Sequence, residues 1–185
     1  MDFAPALLDD YNRTDEGPPP SASYATPSGY NGMEVSSNRL KPSAEIDNAA
    51  IWNTSYAADQ QVAIKAPVLF EAGHLLRVCV RLQSATAFGE CYYVEFERGA
   101  SDAKVRFYYY SGTVATQLGN ELNLGIFMDN DQFGVRVSGS TLSAWINGTQ
   151  VASVMDSTLN AAGRFLINIP ATSIARLDDL RGGAL

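Results

Sequence analysis

Apolar and polar residues alternate with period two through most of the chain, the signature of strands that turn one face to a core. In DQQVAIKAPVL (59–69), Val62, Ile64 and Ala66 share a face. KVRFYYY (104–110) sets Val105, Phe107 and Tyr109 against Arg106, Tyr108 and Tyr110, and DQFGVRVSG (131–139) aligns Phe133, Val135 and Val137. TLSAWINGTQVASV (141–154) alternates Leu142, Ala144 and Ile146, turns at Asn147-Gly148 and continues as a second arm. Asn-Gly between alternating arms is a strong hairpin signal. LLRVCVRL (75–82) and CYYVEFER (91–98) read as a further hairpin, with Leu76, Val78, Val80 and Leu82 on one apolar face and Tyr92, Val94 and Phe96 on the other. RFLINIP (164–170) and SIARLDDLRG (173–182) supply two more strands. No apolar period of 3.6 persists for ten residues, although SYAADQQVA has room for one helical turn. The pattern predicts an all-β domain, a sandwich or a barrel.

The first 32 residues break the alternation. DEGPPPSASYATPSGYNG (15–32) is rich in Pro, Gly and Ser and reads as an arm and loop. It packs on, or extends from, a sandwich of residues 33–185, with a first strand expected near residues 7–12. A length of 185 residues suits one domain with a real core, and 46% hydrophobic with 18% charged residues is too apolar for disorder. A net charge of -7, with 13 scattered Lys and Arg, excludes nucleic acid as a partner. MDFAPALLDD lacks a basic and then apolar leader, and no apolar run is long enough to span a bilayer. Folding in a cytoplasm without membrane insertion is the expectation.

Aligning the faces of the 75–82 and 91–98 hairpin predicts Arg77 near Glu97, Cys79 near Glu95 and Arg81 near Tyr93. Cys79 and Cys91 then lie beyond disulfide reach, and two free thiols are expected. With one His74 in the chain, they offer no zinc site.

Several landmarks together resemble one family. LLDDYNRTDEGPP, NRLKPS, AAIWNTSYAADQQVAIK, VSGSTLSAWINGTQVASVMDSTLNAAGRFLI and the closing RLDDLRGGAL follow in order along nearly the whole chain. In order and spacing they resemble the concanavalin A-like (laminin-G-type) jelly-roll domains of bacteriophage virion and bacterial surface proteins. The resemblance implies two curved antiparallel sheets with the first and last strands adjacent. It leaves function open, because lectins, glycosidases and structural modules share the fold.

Three candidate sites follow. In AEIDNAAIW (44–52), Glu45 and Asp47 would share a strand face, as the catalytic acids of related glucanases do. The positions for a second glutamate, 49 and 50, are both Ala, so no acid/base partner stands there and no catalytic residue is assigned. Asp9-Asp10 and Asp178-Asp179 would meet if the terminal strands are neighbours. A structural Ca²⁺ would relieve their repulsion, and ion pairs with Arg13, Arg176 or Arg181 are the alternative. Trp52, Tyr56, Tyr93, Tyr108, Tyr110 and Trp145 are candidates for contact with a glycan or a protein, with Tyr109 the alternative to the Tyr108/Tyr110 pair.

The expected function is that of a non-enzymatic accessory protein of a phage particle, displayed on head or tail, assembled in the host cytoplasm without a signal peptide. Capsid or tail proteins would be its partners, copies of itself among them, and residues 1–32 its anchor. The alternative is a carbohydrate-binding module for surface or host attachment, and a third reading is a glycan hydrolase.

Overall fold

The alternating runs become strands, described by a computed structural model over residues 3–170 and 174–185. One sheet has eight strands. Across it lie β13 (Thr149–Met155), β12 (Thr141–Ile146), β11 (Gln132–Ser138), β6 (Gln60–Val68), β15 (Arg176–Ala184), β4 (Leu40–Pro42) and β3 (Met33–Val35), while β1 (Leu7–Asp9) pairs with β15. The other has seven, in the order β10 (Ala115–Leu124), β9 (Ala103–Tyr110), β8 (Cys91–Arg98), β7 (Leu75–Leu82), β14 (Gly163–Ile169), β5 (Asn48–Tyr56) and β2 (Tyr24–Ala25). All strand pairs are antiparallel. The two sheets form the jelly-roll sandwich of the concanavalin A-like fold.

The inner faces match the sequence pattern. Val62, Ile64, Phe133 and Val135 of one sheet meet Val78, Val94, Phe96 and Ile167 of the other in a single buried core. Each such side chain contributes about 1.5–3 kcal/mol on burial. The Asn147-Gly148 hairpin forms between β12 and β13, and both turn residues adopt positive φ (52° and 77°).

Several expectations need correction. The 75–82 and 91–98 strands do pair, but two residues away from the predicted register: Arg77 faces Glu95 and Cys79 faces Tyr93. Face alignment cannot distinguish registers that differ by two, because both keep the apolar sides together. Cys79 and Cys91 are therefore neighbours in one buried cluster, and both are free thiols. Burial drives the Cys79 thiol well above its ordinary pKa, and the adjacent thiol adds to the effect.

Leu82 does not continue the inner face of β7. Arg81 takes φ 53°, and this irregularity turns Leu82 outward with Cys79 and sends the arginine to the end of the sandwich. Fully buried there, Arg81 donates to the carbonyls of Ala58 (2.7 Å), Leu159 (2.5 Å) and Gly139 (2.8 Å), and its own N–H donates to Gln60. β14 passes close by at Gly163, where a Cβ would come within 2.5 Å of the Arg81 backbone.

No helical turn forms in SYAADQQVA; residues 57–59 make the bend from β5 to β6. The first strand ends at Asp9 rather than residue 12, because Tyr11 adopts φ 52° and turns into the core. Between residues 3 and 32 the chain is stitched into both sheets: β1 pairs with β15, β2 with β5, and Glu16 bridges Val35.

Candidate functional site

Where the inner residues of β7, β8 and β9 go to the core, their alternates build the outer face of the seven-stranded sheet in three rows. In one row, Arg77, Glu95 and Arg106 stand opposite one another across the three strands, with Glu97 and Lys104 paired one step along. In the next, Cys79, Tyr93 and Tyr108 align. In the third, Cys91 faces Tyr110.

The charged row is a connected ladder. Arg77 Nε donates to Glu95 Oε2 at 3.0 Å, and Arg106 Nη1 donates to Glu95 Oε1 at 3.0 Å and to Glu97 Oε2 at 2.6 Å. Arg106 Nε reaches Glu121 of β10 at 2.5 Å, and Lys104 stands 3.5 Å from the other Glu121 oxygen. Glu95, only 5% exposed, is held between two guanidinium groups, the pairing that offsets the cost of burying a carboxylate. Burial alone would weaken the Arg106 charge, but hydrogen bonds from Arg106 to Glu97, Glu121 and Glu95 outweigh it and push its pKa up. The same contact holds the Glu121 carboxyl below its ordinary value.

Beside the ladder lies an aromatic patch. Tyr93 and Tyr108 stack at 4.8 Å with 18° between their planes, and Arg77 lies 5.5 Å from the Tyr93 ring centre. Phe88 contacts both Tyr110 (5.1 Å) and Tyr93 (6.0 Å), and Tyr30 contacts Phe88 at 5.6 Å. Tyr30 and Phe88 come from two loops joined where Ser28 N–H donates to Thr86 O at 2.7 Å, and these loops raise a wall along one edge of the face. Burial raises the Tyr93 and Tyr108 pKa values, so both phenols stay protonated and able to donate at neutral pH. The arrangement offers half-exposed rings for stacking, with hydroxyl, carboxylate and guanidinium groups beside them for hydrogen bonding.

The sequence candidates divide. Tyr93, Tyr108 and Tyr110 are together on this face, whereas Tyr109 points inward, packs on Tyr92 and donates to Glu90. Trp52 and Tyr56 do not join them. β5 runs through to Tyr56, so these rings lie on strand rather than loop and pack against the core, Trp52 on Tyr24 and Tyr56 on Phe165. Trp145 lies on the outer face of the opposite sheet. Glu45 and Asp47 precede β5 in a loop, with Glu45 exposed and Asp47 at φ 49°, so they share no strand face.

The acids at the terminal strands have protein partners. β1 and β15 are neighbours, as expected, but Asp9 is engaged by Arg13 through both oxygens (2.6 and 3.0 Å) and by the Tyr24 hydroxyl. Asp178 pairs with Arg39 at 3.0 Å, Asp10 caps the N–H of Asn12, and Asp179 gives its N–H to Asp178. Among the described residues no three acidic, His or Cys side chains converge as metal ligands.

Sequence reasoning missed Glu95, Glu97, Arg106 and Glu121. The signal was present in YVEFER, where two glutamates stand two apart on a strand whose apolar face had been identified. Tyr30 and Phe88 carried no such signal, since loop packing has no period.

No protein-family model matches the chain, and no curated protein matches it in sequence. Solved structures do match its fold. The carbohydrate binding module CBM66 from Bacillus subtilis aligns with a TM-score of 0.70 at 12% identity, covering 88% of this chain and 96% of that one. A Bacillus licheniformis beta-glucanase aligns at 0.65 and 9% identity over 99% of both chains. The CBM2 module of the evolved Dit of Lactobacillus casei BL23 phage J-1 aligns at 0.64 and 11% identity, covering 96% and 94%. The expectation of a non-enzymatic chain is corrected by the glucanase match: this architecture, over its full length, is one that hydrolytic enzymes use. That expectation weighed the carboxylates of residues 45–50 and the lone His74, and did not weigh those of β8.

Proposed function

We propose that the chain binds carbohydrate on the outer face of its seven-stranded sheet. The observation that carries this reading is the juxtaposition of half-exposed Tyr108, Tyr110, Phe88 and Tyr30 with the Glu95–Arg106–Glu97 ladder. Rings supply apolar contact for the faces of a sugar, and the charged groups make paired hydrogen bonds with its hydroxyls. The fold shared with a carbohydrate binding module supports the reading. A glycan array followed by calorimetry tests it. Tyr108→Ala and Tyr110→Ala are expected to weaken binding about tenfold or more without lowering the unfolding midpoint much, in line with aromatic hot spots. Absence of any bound glycan, or binding indifferent to both substitutions, would overturn it.

A second reading, hydrolysis of the bound glycan, is favoured by Glu95 and Glu97. They occupy one face of one strand and both accept from Arg106 Nη1, at 3.0 and 2.6 Å, so two carboxyl groups stand side by side as a glycosidase pair requires. For either to deliver a proton, Arg106 has to leave it. Release of reducing sugar that is lost in Glu95→Gln and Glu97→Gln would establish this reading; release unchanged in both would remove it.

Display on a phage particle is supported by the likeness to the phage Dit module. Saturable co-sedimentation with particles lacking the protein is the expected result, and failure to sediment with them would count against that setting.

A further inference from the structure

The opposite face of the molecule carries a feature that the glycan reading does not use. Trp145 of β12 stands on the outer face of the eight-stranded sheet, where Ala63 of β6 and Phe3 complete a small apolar cluster away from the core. Phe3 lies flat on Trp145, with ring centres 5.0 Å apart and planes inclined by 13°. β11 makes room for it at Gly134, where a Cβ would come within 2.4 Å of the Phe3 ring.

Next to this pair is a pocket of about 320 Å³, lined by Trp145 together with Arg136, Ser138, Thr141, Ser143 and Gln150. Trp145 Nε1 donates to Ser143 Oγ at 2.9 Å, which fixes the indole against the pocket. The side chains of Ser138, Thr141 and Gln150 are exposed and make no hydrogen bond to one another or to other described residues. On the same face, in register with Arg136, Gln61 carries an Oε1 that is shielded from solvent and accepts no hydrogen bond. An indole beside hydroxyl, amide and guanidinium groups is the chemistry that recognises a polyhydroxylated ring.

We infer that this pocket is a second carbohydrate site, braced by the chain's own Phe3. A sugar ring enters the pocket beside Trp145, and its hydroxyls reach Thr141, Ser138 and Gln150. Phe3, stacked on the indole from the β11 side and outside the pocket, holds Trp145 in place for that contact.

The chain has two tryptophans, so Trp52→Phe leaves Trp145 as the sole indole reporter. Titrating that full-length variant with methyl glycosides and short oligosaccharides should give a saturable change in emission. Adding Phe3→Ala should weaken the response about fivefold or more, because the indole loses its brace. Gly134→Ala, which unseats Phe3 from beneath, should act in the same direction and serves where loss of the Phe3 ring disturbs β1. Gln150→Ala and Thr141→Ala should weaken it, and Tyr108→Ala, on the other sheet, should leave it unchanged. No saturable response from Trp145 with Phe3 present would overturn the inference. So would a response that Tyr108→Ala abolishes, which would assign the binding to the seven-stranded face alone.

Discussion

At the residue scale, Arg81 ties three connecting segments together through a single side chain. It is a fully buried cation whose guanidinium reaches three carbonyls from three connecting segments, and its nearest carboxylate, Asp59, is 3.6 Å away and half exposed. The desolvation cost is met by those hydrogen bonds, and burial lowers its pKa, as expected of a cation taken from water. Replacing it by methionine keeps the bulk but leaves the carbonyls of Leu159, Ala58 and Gly139 without their donor. Arg81→Met is expected to cost about 3–5 kcal/mol, the scale for breaking a buried charged network. Urea unfolding of the two proteins measures the difference, and a loss below about 1 kcal/mol would show that the loops satisfy one another without it. Nothing in LLRVCVRL announces this role. Read by alternation, Arg81 belongs on the outer face, and only the positive φ, visible in three dimensions, sends it to the sandwich end.

Elements were legible to the extent that alternation fixes a face. It identified the apolar sides of β6, β9, β11 and β12, whose inner residues match the core. It could not fix the β7–β8 register, and so concealed both the contact between Cys79 and Cys91 and the ladder through Glu95. Strand partners distant in sequence, such as β14 with β5, leave no local trace at all. The ladder ends on β10, an edge strand, where Glu121 is held below its ordinary pKa of 4.5 by the hydrogen bond from Arg106. A carboxyl depressed in the folded state contributes stability that is present above its unfolded pKa and lost as the pH falls through the folded one. Wild type is therefore expected to exceed Glu121→Gln in urea midpoint near neutrality, with the gap closing below about pH 4.5. A gap independent of pH across that range would mean that the carboxylate charge is not what Arg106 stabilises.

For the whole molecule, the strand order binds segments distant in sequence. β15 lies inside the eight-stranded sheet, between β6 and β4, and also carries β1. Its Leu177 and Leu180 are buried in the shared core, and its Gly182 packs so closely on Phe165 of the other sheet that a Cβ would come within 2.5 Å of the ring. Deleting residues 176–185 strips both flanking strands of their ladder partner. Such a chain should lose cooperative unfolding in urea and gain exposed apolar surface, seen as dye binding; a sharp two-state transition would show that β6 and β4 close over the gap. The candidate sites share this dependence, because β6 and β11 underlie the Trp145 face and their inner residues pack against the sheet that carries Tyr93 and Tyr108.

That central position also orders events during synthesis. A ribosome delivers the chain from its amino end at about 5–20 residues per second, so β6 is extruded more than a hundred residues before the strand that belongs beside it. Until Arg176–Ala184 has emerged, one side of β6 offers unpaired N–H and C=O groups to any neighbour, including the nascent chain on the next ribosome of the same message. Soluble yield is then expected to depend on how soon the last strand follows β6 out of the ribosome.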